Sequence, residues 1–229
     1  MTKTLRYIDL NLLDYQEAWD LQKNIHQLRV SNTVPDFLLL LEHPNTYTLG
    51  KTADANNLIG DKNYLGKNNI SVYNIDRGGD ITYHGPGQLV GYPIINLEDW
   101  KKDTHKYLRA IEEVIIKTLK EYGIDAGRNP LYTGVWIENR KICAIGIKVS
   151  RWVTMHGFAF NVNTNLNLFK GIIPCGIKEE NKDVTSLEKE LGKHIELNKV
   201  KEIVLTKFKE EFGYDMVERL SYQDLLLDI

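Results

Sequence analysis

The sequence predicts an α+β fold, a mixed β-sheet flanked by helices, and three observations carry the prediction. Short alternating runs cluster into groups of strands. Stripes of helical period near 14–28, 108–119 and 200–212 stand between and beside those groups. The strand links are short and often glycine-bearing, unlike the regular helical crossovers of a βαβ series. Residues 4–10 alternate as a first strand. Asp14 caps a helix to about Leu28, with Tyr15, Trp19, Leu21, Ile25 and Leu28 at near-helical spacing. Phe37 to Leu41 is a short buried strand, and His43-Pro44-Asn45 turns the chain into 46–50. Segments 70–75, 80–84 and 88–95 follow as strands broken by glycine turns. Leu108, Ile111, Ile115 and Leu119 make one face of a helix that Gly123 ends. Three more strands are expected near 132–137, 142–149 and 153–163. Val200, Ile203, Val204, Phe208 and Phe212 mark a last long helix, stopped by Gly213, and Val217 to Ile229 is expected as a small helical appendage. The whole chain, 1–229, is expected as one catalytic domain, with 190–229 its helical C-terminal part.

Bulk composition narrows the function classes. A hydrophobic content of 42% and a charged content of 26% are those of a soluble globular protein with a sizeable core. A net charge of -2 supplies no overall drive toward nucleic acid or anionic membrane. The longest apolar runs are too short to span a bilayer, and the first residues lack the apolar stretch of a signal peptide. Two cysteines are too few for a disulfide framework or a four-thiolate zinc site, so a cytoplasmic protein with reduced thiols is expected. The six histidines show no metal-ligand spacing, and no metal is expected.

Two stretches carry the chemistry. Arg77-Gly78-Gly79-Asp80-Ile81-Thr82-Tyr83-His84-Gly85-Pro86-Gly87-Gln88 packs four glycines and several hydrogen-bonding side chains into twelve residues. Glycine at this density lets backbone approach a ligand closely or take positive φ. A dinucleotide loop is excluded because the glycines lead into a strand instead of opening a helix, and no Walker pattern occurs. A glycine-rich hairpin without a ligand would explain the turns but not Arg77, Thr82, Tyr83 and His84 beside them. The second stretch, Pro174-Cys175-Gly176, places a thiol in a loop. Cys143, in contrast, alternates with Ile145, Ile147 and Val149 on a strand and reads as a small buried hydrophobe. A free thiol is only about 3% thiolate at pH 7, so a reactive Cys175 needs a nearby cation or base. By the same parity Lys141 starts the apolar face of that strand, either snorkelling out at its end or held in a partly dry site. His84 and His156 are the other possible bases, and His156 is expected on the face of Phe158 and Phe160.

Arg77-Gly78-Gly79-x-x-Thr82-Tyr83-His84-Gly85-Pro86-Gly87-Gln88-Leu89, Lys141-Ile142-x-x-Ile145-Gly146, His156-Gly157-Phe158-Ala159-x-Asn161 and Pro174-Cys175-Gly176 together resemble the lipoyl/octanoyl transferase family. The resemblance spans about residues 30–190. Trp152, Val153 and Thr164-Asn165 depart from its usual pattern. It implies the fold of biotin and lipoate protein ligases, and octanoyl transfer from acyl carrier protein to a lysine of lipoate-dependent domains. The implied acceptors are the lipoyl domains of 2-oxoacid dehydrogenases and the glycine cleavage H protein. By the same resemblance Cys175 is the acyl-thioester nucleophile and Lys141 activates it. Arg77, Gly78, Gly79, Asp80, Ile81, Thr82, Tyr83 and His84 would line the acyl site, with Ala144, Ile145, Gly146, Gly157, Phe158 and Ala159. No cofactor is implied. An ATP-dependent lipoate–protein ligase of the same fold, and a cysteine thioesterase or acyl-binding module, are the rival readings.

Overall fold

The computed structural model describes residues 2–173 and 183–228. In chain order the first strands are β1 (Thr4–Leu12), β2 (Asp36–Glu42), β3 (Thr46–Leu49), β4 (Ser71–Asn74), β5 (Ile81–His84) and β6 (Gln88–Ile94). They are followed by β7 (Gly127–Arg128), β8 (Val135–Ile137), β9 (Arg140–Ser150), β10 (Val153–Asn161), β11 (Asp183–Val184) and β12 (Met216–Arg219). The helices are α1 (Tyr15–Val30), α2 (Lys62–Lys67), α3 (Thr104–Lys120), α4 (Leu187–Leu191), α5 (Leu197–Phe212) and α6 (Tyr222–Asp228).

The main sheet runs β12-β1-β2-β6-β10-β9-β8-β7, with β11 added on β9. β1 pairs in parallel with β12 and β2, and the strands from β2 to β9 are antiparallel, so the sheet is mixed. Its central strands are apolar on both faces because both are covered. Leu38 and Leu40 of β2 meet α3 and α5 on one side, while Phe37, Leu39 and Leu41 meet α1 on the other. Between α3, α5 and the sheet, Phe208 stacks on Phe212 at 4.4 Å, and Phe212 lies 5.9 Å from Tyr107. Full burial of each such ring contributes about 1.5–3 kcal/mol. Asp14 caps α1 by accepting from Gln16 N, and Asp103 caps α3 by accepting from His105 N and Lys106 N. Gly123 and Gly213 follow their helices with φ of 72° and 68°.

The three-stranded sheet β4-β3-β5 is separate, and it stands beside α1, where Tyr15 stacks on Tyr73 at 5.3 Å. The C-terminal segment differs from the expected appendage. Met216–Arg219 extends the main sheet as an edge strand on β1, and helix begins only at Tyr222. Four residues are too few for periodicity to separate a strand from a helical turn. The β9–β10 hairpin turns on Arg151 and Trp152, both at positive φ (50° and 61°), in the sense that matches strand twist. Neither residue is the asparagine or glycine that announces such a turn. No described helix is long and apolar enough to cross a membrane.

Candidate active site

A cavity of about 540 Å³ lies between β5 and the paired strands β9 and β10. Arg77, Gly78, Gly79 and Asp80 form one wall, held on β9 by Gly78 N donating to Ile147 O at 2.9 Å. This wall requires glycine twice. A Cβ on Gly146 would stand 3.0 Å from Gly78 O, and one on Gly50 only 2.2 Å from Gly79 O. Ala144, Ile145 and Gly146 of β9 line the cavity with Gly157, Phe158 and Ala159 of β10. The small residues lie in register, Ala144 opposite Ala159 and Gly146 opposite Gly157. From β5, Thr82 and His84 face the cavity. Ile81 and Tyr83 alternate to the other side and pack in the core of the small sheet, where Tyr83 OH donates to Asn45 Oδ1 at 2.8 Å. Among the lining residues that the sequence left out are Tyr15 and Tyr92, from α1 and β6, beside Thr52, Tyr132 and Thr133 from loops. Apolar neighbours make Tyr15 and Tyr92 read as ordinary core.

Lys141 lines the cavity with Ala144 and is 6% exposed. The register between β8 and β9 shifts between Val135 and Trp136, so simple alternation from Cys143 back to Lys141 fails. Ile142 and Cys143 both join the apolar core, and Lys141 turns the other way. Its Nζ sits 4.9 Å from the centre of the Trp136 ring. Of the two readings open for this lysine, the dry-site one holds. The Cys143 thiol is fully buried, and burial pushes its pKa up.

Beneath the cavity runs a buried hydrogen-bond chain. Arg77 Nη2 donates to Thr48 Oγ1 at 2.9 Å, and Thr48 Oγ1 lies 3.3 Å from His84 Nε2. His84 Nδ1 donates to Gln88 Oε1 at 2.9 Å, and Gln88 Nε2 to Asn161 Oδ1 at 2.9 Å. Asn161 Nδ2 donates to Thr185 O at 3.0 Å, and Thr185 N to Lys141 O at 3.0 Å. Burial holds the His84 imidazole well below its ordinary pKa. With both ring nitrogens engaged, it serves as a fixed neutral wall group.

His43, next to it, donates from Nδ1 to Leu13 O at 2.7 Å and accepts from Tyr92 OH at 2.7 Å, and burial pushes it down to about 4. Between about pH 6.5 and 4 the unfolded chain therefore binds a proton at this position that the folded chain does not. The stability tied to neutral His43 is fully present above about 6.5 and is lost as pH falls toward 4. Calorimetric melting temperatures are expected to fall over that window, with a shallower slope in His43→Gln. Identical slopes in both proteins would take His43 out of the account.

His156 is not on the face of Phe158 and Phe160. Its backbone is left-handed (φ 56°), and its amide donates to Gln22 Oε1 of α1 at 2.9 Å. This rotates the ring onto the cavity side, where Nε2 donates to Asp76 Oδ1 at 2.8 Å. Lys148 Nζ holds the other carboxylate oxygen at 2.5 Å. The two partners hold the Asp76 carboxyl below the ordinary carboxylate range.

Pro174, Cys175 and Gly176 lie outside the described residues. The chain on either side of them is anchored at the cavity. Ile173 N donates to Asn57 O at 2.8 Å, and Asn57 Nδ2 donates to Asp80 Oδ2 at 2.5 Å. On the far side Val184 pairs with Lys141.

A mixed sheet covered by helices, with a lysine-edged cavity against a small second sheet, defines a protein of the lipoate and biotin protein ligase fold. The chain matches the crystal structure of lipoate-protein ligase A bound with ATP at a TM-score of 0.75 and 16% identity, over 100% of this chain and 93% of that one. Biotin protein ligase from Aquifex aeolicus matches at a TM-score of 0.51 and 15% identity, over 93% of this chain and 70% of that one. Residues 14–209 match the lipoyl protein ligase A/B catalytic domain. The octanoyltransferase of Christiangramia forsetii is 50% identical over an alignment of 233 positions that covers 94% of this chain and 99% of that protein. The chain belongs to the lipoyl protein ligase A/B catalytic domain family, within its octanoyltransferase group.

Proposed function

We propose that this enzyme, an octanoyltransferase acting as one catalytic domain, carries the octanoyl group on Cys175. The donor is octanoyl-acyl carrier protein. The acceptor is a lysine on a lipoyl domain of a 2-oxoacid dehydrogenase or on the glycine cleavage H protein. The observation that supports this reading best is the placement of Lys141, buried at the edge of a cavity walled by glycine and alanine. The sequence before the thiol is tied at Ile173 to Asn57, which holds Asp80 of the wall, and the sequence after it pairs at Val184 with Lys141.

In the first half-reaction the Cys175 thiolate attacks the donor carbonyl carbon. The new C–S bond forms as the bond to the pantetheine sulfur breaks, and Lys141 hands its proton to that leaving thiolate. In the second half the acceptor amine attacks the Cys175 thioester. Its proton passes to Lys141, and the cysteine leaves as thiolate, which restores the starting pair. One thioester replaces another in the first half, so no nucleotide activation is required. The glycine and alanine wall lets backbone pack against methylenes, and burying about seven of them contributes roughly 5–6 kcal/mol.

Intact-mass measurement after incubation with octanoyl carrier protein, without ATP, tests the reading. A single octanoyl adduct is expected on the enzyme, discharged when an acceptor domain is added. Transfer that needs ATP and free octanoate would favour the ligase, and free octanoate with no acylated acceptor would favour the thioesterase.

A further inference from the structure

We propose that His156 sets the chain length of the acyl group, as the end stop of the trough that starts beside Lys141. This rests on the octanoyl-transfer reading above. The trough follows the β9–β10 ladder. On the cavity face its floor is the pair Ala144 and Ala159, then the pair Gly146 and Gly157; the pair between them, Ile145 and Phe158, packs its bulk in the apolar core, and the pair after Gly146 is Ile147 with His156. Side-chain bulk is minimal over the first pairs and returns at His156, which lines the cavity and is 1% exposed.

The lengths agree. Three residue steps along a strand, from the Ala144 row to the Ile147 row, span about 10 Å. An extended octanoyl group has seven C–C bonds, which cover roughly 9 Å from carbonyl carbon to methyl. A ten-carbon chain would run past the His156 row.

The backbone shows that the imidazole is held there against local preference. On a regular strand His156 would face the core of Phe158 and Phe160. The left-handed φ of 56°, unusual for a residue with a Cβ, turns it to the cavity. Three groups keep it in place: Gln22 on its amide, Asp76 on Nε2, and the Trp19 ring 6.3 Å away. Tyr92 and His84, which line the same cavity, have their polar atoms committed to His43 and Gln88. His156 Nδ1, buried, has no such commitment within the protein. The ring is therefore fixed from behind and presents bulk to the trough.

The test is a series of hexanoyl to dodecanoyl carrier-protein thioesters with wild type, His156→Gly, His156→Asn and His156→Phe. Glycine and asparagine both accept left-handed backbone, so neither change adds strain to the fold. The decanoyl-to-octanoyl ratio of kcat/KM is expected to rise about 15-fold in His156→Gly, the factor that two newly buried methylenes carry. His156→Asn should fall between, and His156→Phe should shift the preference to hexanoyl. His156→Asn keeps the test alive if the glycine protein does not fold. A wild-type chain-length profile in the folded variants overturns the end stop and leaves the transferase reading intact. Failure of wild type to transfer octanoyl at all sinks the transferase reading instead.

Discussion

Cys175→Ser is expected to lose transfer by roughly 10⁴-fold or more, the scale seen when an enzyme's nucleophile is removed. The same protein should show no octanoyl adduct by intact mass. Cys143→Ser should keep most of the activity, because its thiol is sealed in the apolar core and burial disfavours its thiolate. The contrast between the two serines separates a mechanistic loss from a packing loss. The Cys143 change introduces a buried hydroxyl and should lower the melting temperature. Normal turnover by Cys175→Ser would sink the thioester mechanism.

Lys141→Ala is the second large effect. Removing a positioned acid–base group costs about 10²–10⁴-fold in rate, and here both half-reactions should slow while acyl binding is largely kept. Lys141→Arg divides charge from proton transfer. A guanidinium beside the thiol still favours thiolate but does not release a proton near neutrality. Iodoacetamide reactivity against pH should therefore survive better in the Arg variant than single-turnover acylation of the acceptor amine. Wild-type transfer by Lys141→Arg would mean that the lysine acts through its charge alone.

The fold was legible wherever one period ran long enough. Leu108 to Leu119 and Val200 to Phe212 repeat over several turns, and both helices lie where the stripes place them. Parity failed at single residues. Alternation groups Lys141 with Cys143, because nothing in the sequence marks the register shift between them. It groups His156 with Phe158, because a left-handed histidine has no local signature. Both errors fall on cavity residues, where a strand must break its alternation to bring a polar group to the other face. The glycine wall was legible for the opposite reason. Composition shows Gly78 and Gly79 directly, whereas Gly50 and Gly146, where a Cβ would crowd their carbonyls, stand outside that glycine-dense stretch. The division of Ile81 and Tyr83 from Thr82 and His84 required knowing which face of β5 meets the main sheet.

The polar chain under the cavity has a direction. Arg77 has only protons to give, and the carbonyl of Thr185 has only lone pairs, so every group between them passes its hydrogen the same way. That fixes the tautomer of His84 and the orientation of the Gln88 and Asn161 amides at once. None of the three can turn over without a mismatch at both neighbours. Aligned bonds of this kind polarise one another by roughly 10–30% each. The line ends at the carbonyl of Thr185, and a separate bond from the Thr185 amide holds the carbonyl of Lys141. A permanently charged guanidinium on the glycine wall thus orients, through neutral groups alone, the carbonyl of Thr185, the residue whose own amide is paired with the strand that carries the lysine.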